Sequence, residues 1–387
     1  MDFAFLWEIC KLKGYEEFHY PPLEPRIRKK LAPDKIFDTL KEESVVLLHP
    51  FDSFTLITQF LETAATDPDV MLINMTVYRV HHEESPIINA LIKAAQNGKQ
   101  VRVLVEVKAR FDELENIKWA EKLEKSGCQV IYGKKGLKVH AKTIMLVRKE
   151  RNKMQRYAQI GTGNYLKESY VDFSLLTTEK EICEDLAHFF NMLSGAVTEE
   201  EVKWKKLGVS PKIMEPKFIH LIDREIENAK AGKPAKIIAK MNGLTNKKMI
   251  EKVYEASSNG VEVILIVRGE CCLLPHLKDV SENVSVYSIV ARYLEHNRVY
   301  YFENGGEGEY YRASADWMTR NLHRRVELMF PIEGKKNKKK IQDYLDNILK
   351  DNVKRRVLKS DGTYEMVKKS KGEKDFDYQE YYISNKF

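Results

Sequence analysis

Cysteine is scarce in this chain: five among 387 residues, an odd number with no regular spacing. Cys271 and Cys272 are adjacent, while Cys10, Cys128 and Cys183 lie scattered, so neither a disulfide framework nor a zinc pattern emerges. A reducing cytoplasm is the expected setting. Long apolar runs are missing too. No stretch approaches the ~18 residues of a membrane span, so any membrane association would be peripheral. The N-terminus, Met1-Asp2-Phe3-Ala4-Phe5-Leu6-Trp7-Glu8, has early acids and no basic flank, a poor signal peptide. Charge of one sign is not dominant: 64 Lys and Arg face 57 Asp and Glu, a net +7. That mild excess favours polyanionic partners through attraction and on-rate. Much of it lies in Lys335–Lys340 and Lys354–Lys371, where a solvated surface is the simpler explanation.

What is present is ordinary globular material, 43% hydrophobic and 31% charged, long enough for two or three domains. Ile87, Ile88, Leu91, Ile92 and Ala95 recur at helical spacing over Pro86–Asn97, with Ser85 as N-cap and Gly98 as the stop. Val101–Val107 then reads as a buried strand. The same order returns 162 residues on: a helix through Met249, Ile250, Val253 and Tyr254, a stop at Asn259-Gly260, and a strand at Val261–Val267. Further elements of the first half are a helix at Glu113–Lys125 and a strand at Gln129–Tyr132. Alternation of this kind predicts an α/β fold with mostly parallel sheets. The halves divide near Thr198–Pro211, giving domains at 41–205 and 206–349. Residues 1–40, with Pro21-Pro22, Pro25 and Pro33, read as a linker or the remnant of a preceding domain. Residues 350–387 read as a C-terminal extension, its tyrosines on the surface.

The repeat carries chemistry. Gly136-Leu137-Lys138-Val139-His140-Ala141-Lys142 is followed by Ile160-Gly161-Thr162-Gly163-Asn164. A weaker copy reads Tyr293-Leu294-Glu295-His296-Asn297-Arg298, then Ser314-Ala315-Asp316. A single His-x-Lys is common by chance. The small-residue turn that follows, and the repetition of the whole set, are not. An imidazole beside a fixed cation and a turn rich in backbone N–H groups suits a phosphoryl group. Two such sets predict one phosphate between facing histidines. A strand over Lys138–Val147 would put His140 and Lys142 on one face, and Glu295–Phe302 would do so for His296 and Arg298. Ala158–Gly161 would be the hairpin partner, with Arg148–Arg156 as an exposed connection. Arg79 and Arg110 follow strand-like Met71–Val77 and Val101–Val107, the edge where ligands of open α/β sheets gather.

His-x-Lys with a small-small-Asn turn resembles the half-site of the phospholipase D superfamily. That pattern also has an aspartate five residues after the lysine; Val147 stands there instead, Arg298 replaces the second lysine, and Asp316 the second asparagine. These departures match one branch. His49-Pro50-Phe51-Asp52-Ser53-Phe54, Val77-Tyr78-Arg79-Val80, Lys108-Ala109-Arg110-Phe111-Asp112-Glu113, Leu137–Lys142, Ile160–Asn164, Val267-Arg268-Gly269, Arg292–Val299 and Ser314–Asn321 look like polyphosphate kinase of the phospholipase-D-like type. The likeness runs from about residue 40 to 350.

The resemblance implies two tandem phospholipase-D-like domains, each a mostly parallel or mixed sheet flanked by helices, with the active site between them. It implies reversible transfer of the ATP terminal phosphate to inorganic polyphosphate, with magnesium, through a phosphohistidine at His140. His296 is the second catalytic histidine and a phosphate ligand. Family nucleotide positions fall on Tyr170 and Arg268; His296 is read as a phosphate and nucleotide ligand beside them, and Lys142, Asn164, Arg298 and Asp316 complete the phosphate- and ATP-binding set. Family magnesium-site positions fall on Arg79 and Arg110. A guanidinium has no lone pair for a cation, so both are expected to contact metal-bound phosphate. ATP, ADP and polyphosphate are the expected partners, with no specific nucleic acid, and full-length members are expected to be homo-oligomers. The family carries two further domains ahead of these halves, where this chain has residues 1–40. A phospholipase-D-like phosphodiesterase and an inactive polyanion-binding fragment are the alternatives. Val147 and Arg298 argue against the first, and the two retained half-sites against the second.

Overall fold

The computed structural model describes residues 5–80, 85–108, 113–133, 136–165 and 170–384. The first half contributes β1 (Val45–His49), β2 (Val70–Val77), β3 (Gln100–Val105), β4 (Gln129–Tyr132), β5 (Lys138–Val139), β6 (Lys142–Glu150), β7 (Lys153–Gly161) and β8 (Tyr170–Thr177). The second contributes β9 (Gly208–Val209), β10 (Lys236–Met241), β11 (Glu262–Val267), β12 (Val284–Ile289), β13 (Leu294–Glu295) and β14 (Val299–Phe302). It continues with β15 (Glu309–Ala313), β16 (Arg325–Val326), β17 (Leu328–Ile332), β18 (Arg355–Leu358) and β19 (Tyr364–Met366).

The first sheet runs β1-β8-β7-β6-β2-β3-β4 and the second β9-β17-β15-β14-β10-β11-β12-β18-β19. Written so, the two orders superimpose. In each, three parallel strands (β2, β3, β4 and β10, β11, β12) adjoin an antiparallel hairpin series. The sheets are thus mixed, and the order is that of a duplicated unit.

Local sequence explains the elements. Pro86–Gln96 begins where the Ser85 hydroxyl accepts from Ile88 N at 3.4 Å, with proline in the first turn. It ends before Gly98, whose φ of 78° lies in the left-handed region that favours glycine. In β3, Val101, Val103, Leu104 and Val105 are all buried, as a strand covered on both faces requires. The predicted helix at Glu113–Lys125 and strand at Gln129–Tyr132 have the expected bounds. The hairpin β6–β7 is longer than expected: pairing runs from Lys142↔Gly161 to Glu150↔Lys153, so only its tip is a turn.

The histidine segments differ from the continuous strands expected. Each is broken at its histidine. The first segment pairs at Lys138-Val139 with Arg325-Val326 of the second half, and only from Lys142 joins its own sheet. The second pairs at Leu294-Glu295 with Tyr170-Val171 of the first half, then joins its own sheet at Val299. At both breaks the histidine N–H donates across the seam, His140 to Val326 O at 2.9 Å and His296 to Val171 O at 3.1 Å. A change of sheet at one residue forces the break.

A hydrophobic cluster drawn from both halves fills the space behind the seam, including Val139, Ala141, Phe173, Val299, Phe330 and Tyr344. The C-terminal residues join the same body. β18 pairs with β12, and the helix Tyr378–Ser384 buries Tyr378 and Tyr382 in that cluster. Those two tyrosines are core, not surface. Among the described residues no helix is long and apolar enough to cross a membrane.

Candidate active site

The strand breaks bring the two histidines to the seam between the sheets, each gripped by a carboxylate of the opposite half. His140 Nδ1 lies 2.8 Å from Glu327 Oε2, and His296 Nδ1 lies 2.8 Å from Asp172 Oδ2. The carboxylates occupy equivalent places, each directly after the two residues that pair with the other half's histidine segment. A ring held through Nδ1 is fixed in orientation, and its Nε2 is turned toward whatever occupies the seam. Side-chain exposures of 11% for His140 and 17% for His296 leave only this narrow approach.

Both carboxylates are buried and firmly held. Asp172 accepts from Arg312 Nη2 at 2.8 Å and from the Thr162 hydroxyl. Burial pulls its pKa upward, but His296 and Arg312 outweigh it and hold it well below the usual range. Glu327 accepts from Asn321 Nδ2 at 2.7 Å. Burial raises its pKa, while Lys142 and Arg325 oppose the rise. Burial lowers His140 well below its ordinary value, and the cations Lys142, Arg325 and Arg298 act the same way. Burial, then Arg298, brings His296 down to about 4 against the pull of Asp172. Both imidazoles are therefore neutral near pH 7. With Nδ1–H donating to the carboxylate, the lone pair of each ring is on Nε2; that of His296 faces Arg298 Nη1 at 3.3 Å.

The cations two residues on are placed alike. Lys142 Nζ donates to His140 O at 2.6 Å, and Arg298 Nη1 donates to His296 O at 3.0 Å. Lys142 Nζ and the His140 ring both lie against Tyr78, 4.6 and 5.0 Å from its centroid. Although His140 and Lys142 are not on one continuous strand, both reach the same tyrosine. Arg298 forms a two-bond fork with Asp316 at 3.1 and 2.9 Å, which leaves Nη1 beside the His296 ring at 3.3 Å. Asp316 is occupied by that arginine and by Asn242 N at 2.7 Å. Its place in the structure is that of an anchor for Arg298.

Tyr170 packs on His296 with centroids 4.6 Å apart and donates to Asn164 O at 2.7 Å. Gly163 sits beneath them: a Cβ there would come within 2.4 Å of the Tyr170 ring and 2.7 Å of Asp172 Oδ2. Only glycine fits. The Asn164 side-chain oxygen is buried without a hydrogen-bond partner, a polar atom available to a ligand. Arg268 directly follows β11 and donates to Glu295 O at 2.7 Å, directly before His296. Glu106, the equivalent residue after β3, accepts from Val139 N at 2.7 Å, directly before His140. Arg79 lies 5.9 Å from the Tyr78 ring centre and acts electrostatically on Tyr170 and Lys138. Arg110 lies outside the described residues.

Sequence reasoning missed Glu327, Asp172, Arg312, Arg325 and Glu106. A trace was there: Asp172 follows His140 by 32 residues and Glu327 follows His296 by 31. A second missed feature is the clamp behind His296. Glu295 is 2% exposed and takes bonds from Lys240, Tyr344, Tyr378 and Gln379. Gln379 also pairs with both backbone groups of Tyr293, at 2.8 and 2.9 Å.

A magnesium ion does not find a protein cage here. Among the described residues no group of three or more His, Cys, Asp and Glu side chains could hold one, and Arg79 offers only donors.

Two duplicated α/β units that exchange short strands and bring paired histidines to their seam make up a phospholipase-D-like fold. A solved phosphatidylserine synthase of Haemophilus influenzae shares this fold with a TM-score of 0.56 at 12% identity, covering 84% of this chain and 92% of that one. Sequence narrows the class. Residues 35–199 match Polyphosphate kinase C-terminal domain 1, and residues 207–379 match Polyphosphate kinase C-terminal domain 2. The chain belongs to the polyphosphate kinase family. It is 45% identical to the polyphosphate kinase of Halalkalibacterium halodurans over 385 residues, 98% of this chain and 54% of that relative. It is 47% identical to that of Exiguobacterium sibiricum, across 96% of this chain and 52% of the relative. The solved polyphosphate kinase of Porphyromonas gingivalis superposes with a TM-score of 0.86 at 36% identity, covering 95% of this chain and 56% of that one. The chain thus spans about half the length of the relatives it matches.

Proposed function

We propose that this chain carries the phosphoryl-transfer centre of a polyphosphate kinase, with His140 as nucleophile and ATP and inorganic polyphosphate as substrates. The observation that carries this reading is the reciprocal pairing of the two histidines with carboxylates of the opposite half. It leaves two neutral imidazoles in a seam lined by cations, the His140 Nε2 with an available lone pair and the His296 Nε2 beside the Arg298 guanidinium.

The His140 Nε2 lone pair attacks the γ-phosphorus of ATP. A P–N bond forms, the bridging P–O bond breaks, and ADP leaves with the electron pair. Positive charge grows on the ring as the bond forms, and the Glu327 carboxylate at Nδ1 offsets it. Lys142, Arg298 and Arg325 neutralise the phosphoryl oxygens, and the Asn164 side chain and the Gly161–Asn164 backbone orient them. A terminal oxygen of polyphosphate then attacks the same phosphorus, the P–N bond breaks, and the chain grows by one unit. The leaving group is a phosphate oxygen of low basicity, so His296 is assigned chiefly to holding phosphate and nucleotide, with Tyr170 and Arg268 beside it. Arg79 and Arg110 contact phosphate, and magnesium would enter with the phosphates it neutralises.

The test is a labelling experiment with γ-labelled ATP and magnesium on this chain and on a full-length relative. The reading expects an acid-labile, base-stable label that His140→Gln abolishes without lowering the melting temperature. Label persisting in that variant would place the nucleophile elsewhere.

A further inference from the structure

Away from the seam, a cavity of about 520 Å³ lies between the helix Lys335–Lys350 and the C-terminal helix Tyr378–Ser384. Beneath it is Asp52, fully buried. Its carboxylate accepts from Arg28 Nε at 2.8 Å, Lys340 Nζ at 2.8 Å and Leu48 N at 2.9 Å, and Arg26 Nε stands 3.4 Å away. One carboxylate thus faces three cations, each of which lines the cavity. Arg26 Nη2 is buried with no hydrogen-bond partner. Burial lowers the pKa of Arg26 and brings Lys340 down to about 8, as expected where positive charge is only partly matched.

The mouth is itself close to balance. Lys336, Lys339 and Lys350 stand there, with Asp343 and Asp346 as the lining carboxylates. Asp343 takes Lys339 at 3.0 Å, and Glu43 takes Lys336 at 3.2 Å. Six cations therefore face four carboxylates, Asp343, Asp346, Glu43 and the buried Asp52, and the surplus lies at the base around Asp52. None of these residues contacts His140 or His296. A guanidinium donor without a partner, over a surplus of part-buried cations, calls for an anion with several oxygens. Long lysines at the mouth match charge without reading shape, which suits a repeating chain of phosphates.

We propose that this cavity is a second condensed-phosphate site, in which Arg26, Arg28 and Lys340 hold a polyphosphate segment outside the histidine seam. The ligand assignment rests on the function proposed above. A nucleoside triphosphate presents the same chemistry, so the test separates the two.

The experiment is calorimetric titration of the His140→Gln, His296→Gln protein with long-chain polyphosphate and, separately, with ATP, at two salt concentrations. Two independent changes are made in that background: Arg28→Gln at the base, and Lys339→Glu with Lys350→Glu at the mouth. The second pair leaves the Asp52 cluster intact, so a folding defect in the first cannot mask the result. Polyphosphate affinity should fall about tenfold in both, with a shallower salt dependence, while ATP affinity is unchanged. An equal loss for ATP keeps a condensed-phosphate site but overturns polyphosphate as its ligand. Unchanged affinity for both ligands overturns the site. The labelling of His140 reports separately on the proposed reaction: loss of label with the cavity effect intact would sink that reaction and leave the site standing.

Discussion

Glu327→Gln isolates the contribution of charge at His140, because glutamine keeps the shape and one acceptor. In the native arrangement the carboxylate serves His140 Nδ1 at 2.8 Å on one oxygen and Asn321 Nδ2 at 2.7 Å on the other. The glutamine oxygen can still accept from Nδ1–H if its amide faces Asn321. Asn321 can then turn over, since its own side-chain oxygen is buried without a partner. The ring stays in place and the negative charge is lost. Hydrogen bonds to charged groups are worth about 1.5–3 kcal/mol and neutral ones about 0.5–1.5, so roughly 1–2 kcal/mol of transition-state stabilisation disappears. That is a slowing of about 5- to 30-fold in single-turnover phosphorylation. Glu327→Leu removes the acceptor as well and should lose far more, with a lower melting temperature. Rapid-quench labelling with γ-labelled ATP measures both. Wild-type labelling rates in a folded Glu327→Gln protein would refute the role given to this carboxylate.

Gly163→Ala should push Tyr170 and Asp172 off His296, costing about 1–3 kcal/mol of stability and at least tenfold in turnover, read by thermal melting and steady-state assay. Stability should fall on acidification. His296 titrates at about 4 in the fold and near 6.5 when unfolded, so the unfolded state binds more protons below pH 6.5. The loss, about 3 kcal/mol at most, accrues between pH 6.5 and 4, and denaturant titrations of His296→Gln should show a flatter slope there. The acid limb of the labelling rate should lie below pH 6.5, because the His140 pKa is depressed. Gln379→Ala should release the Tyr293 backbone and lower stability by about 1–3 kcal/mol, with faster hydrogen exchange near residues 293–296.

The sequence made legible what is local. The Ser85 cap, the Gly98 stop and the β-branched β3 are decided by neighbours a few residues away, and their bounds came out within two residues. His140, Lys142 and the Gly161–Asn164 turn were visible because a motif and its copy repeat the same chemistry. The strand breaks at His140 and His296 were not, since their cause is a partner strand in the other half, 187 and 124 residues away at the carboxylates. Asp172 and Glu327 are lone acids with no local pattern, and only their matching distances from the histidines hint at them. Asp316 carried a motif position, yet the structure turns it toward Arg298 and Asn242. Tyr364 is exposed as expected, whereas Tyr378 and Tyr382 read as surface only because the segment around them is polar. Their burial depends on Glu295 and Tyr344, far away in sequence.

Mapping the trapped phosphoryl group tests the central claim most directly. The protein is incubated with γ-labelled ATP and magnesium, quenched in base and digested, and the labelled peptide is sequenced by mass spectrometry. The account predicts a single phosphorylated residue, His140. A phosphoryl group on His296, or on any side chain outside the seam, would contradict it.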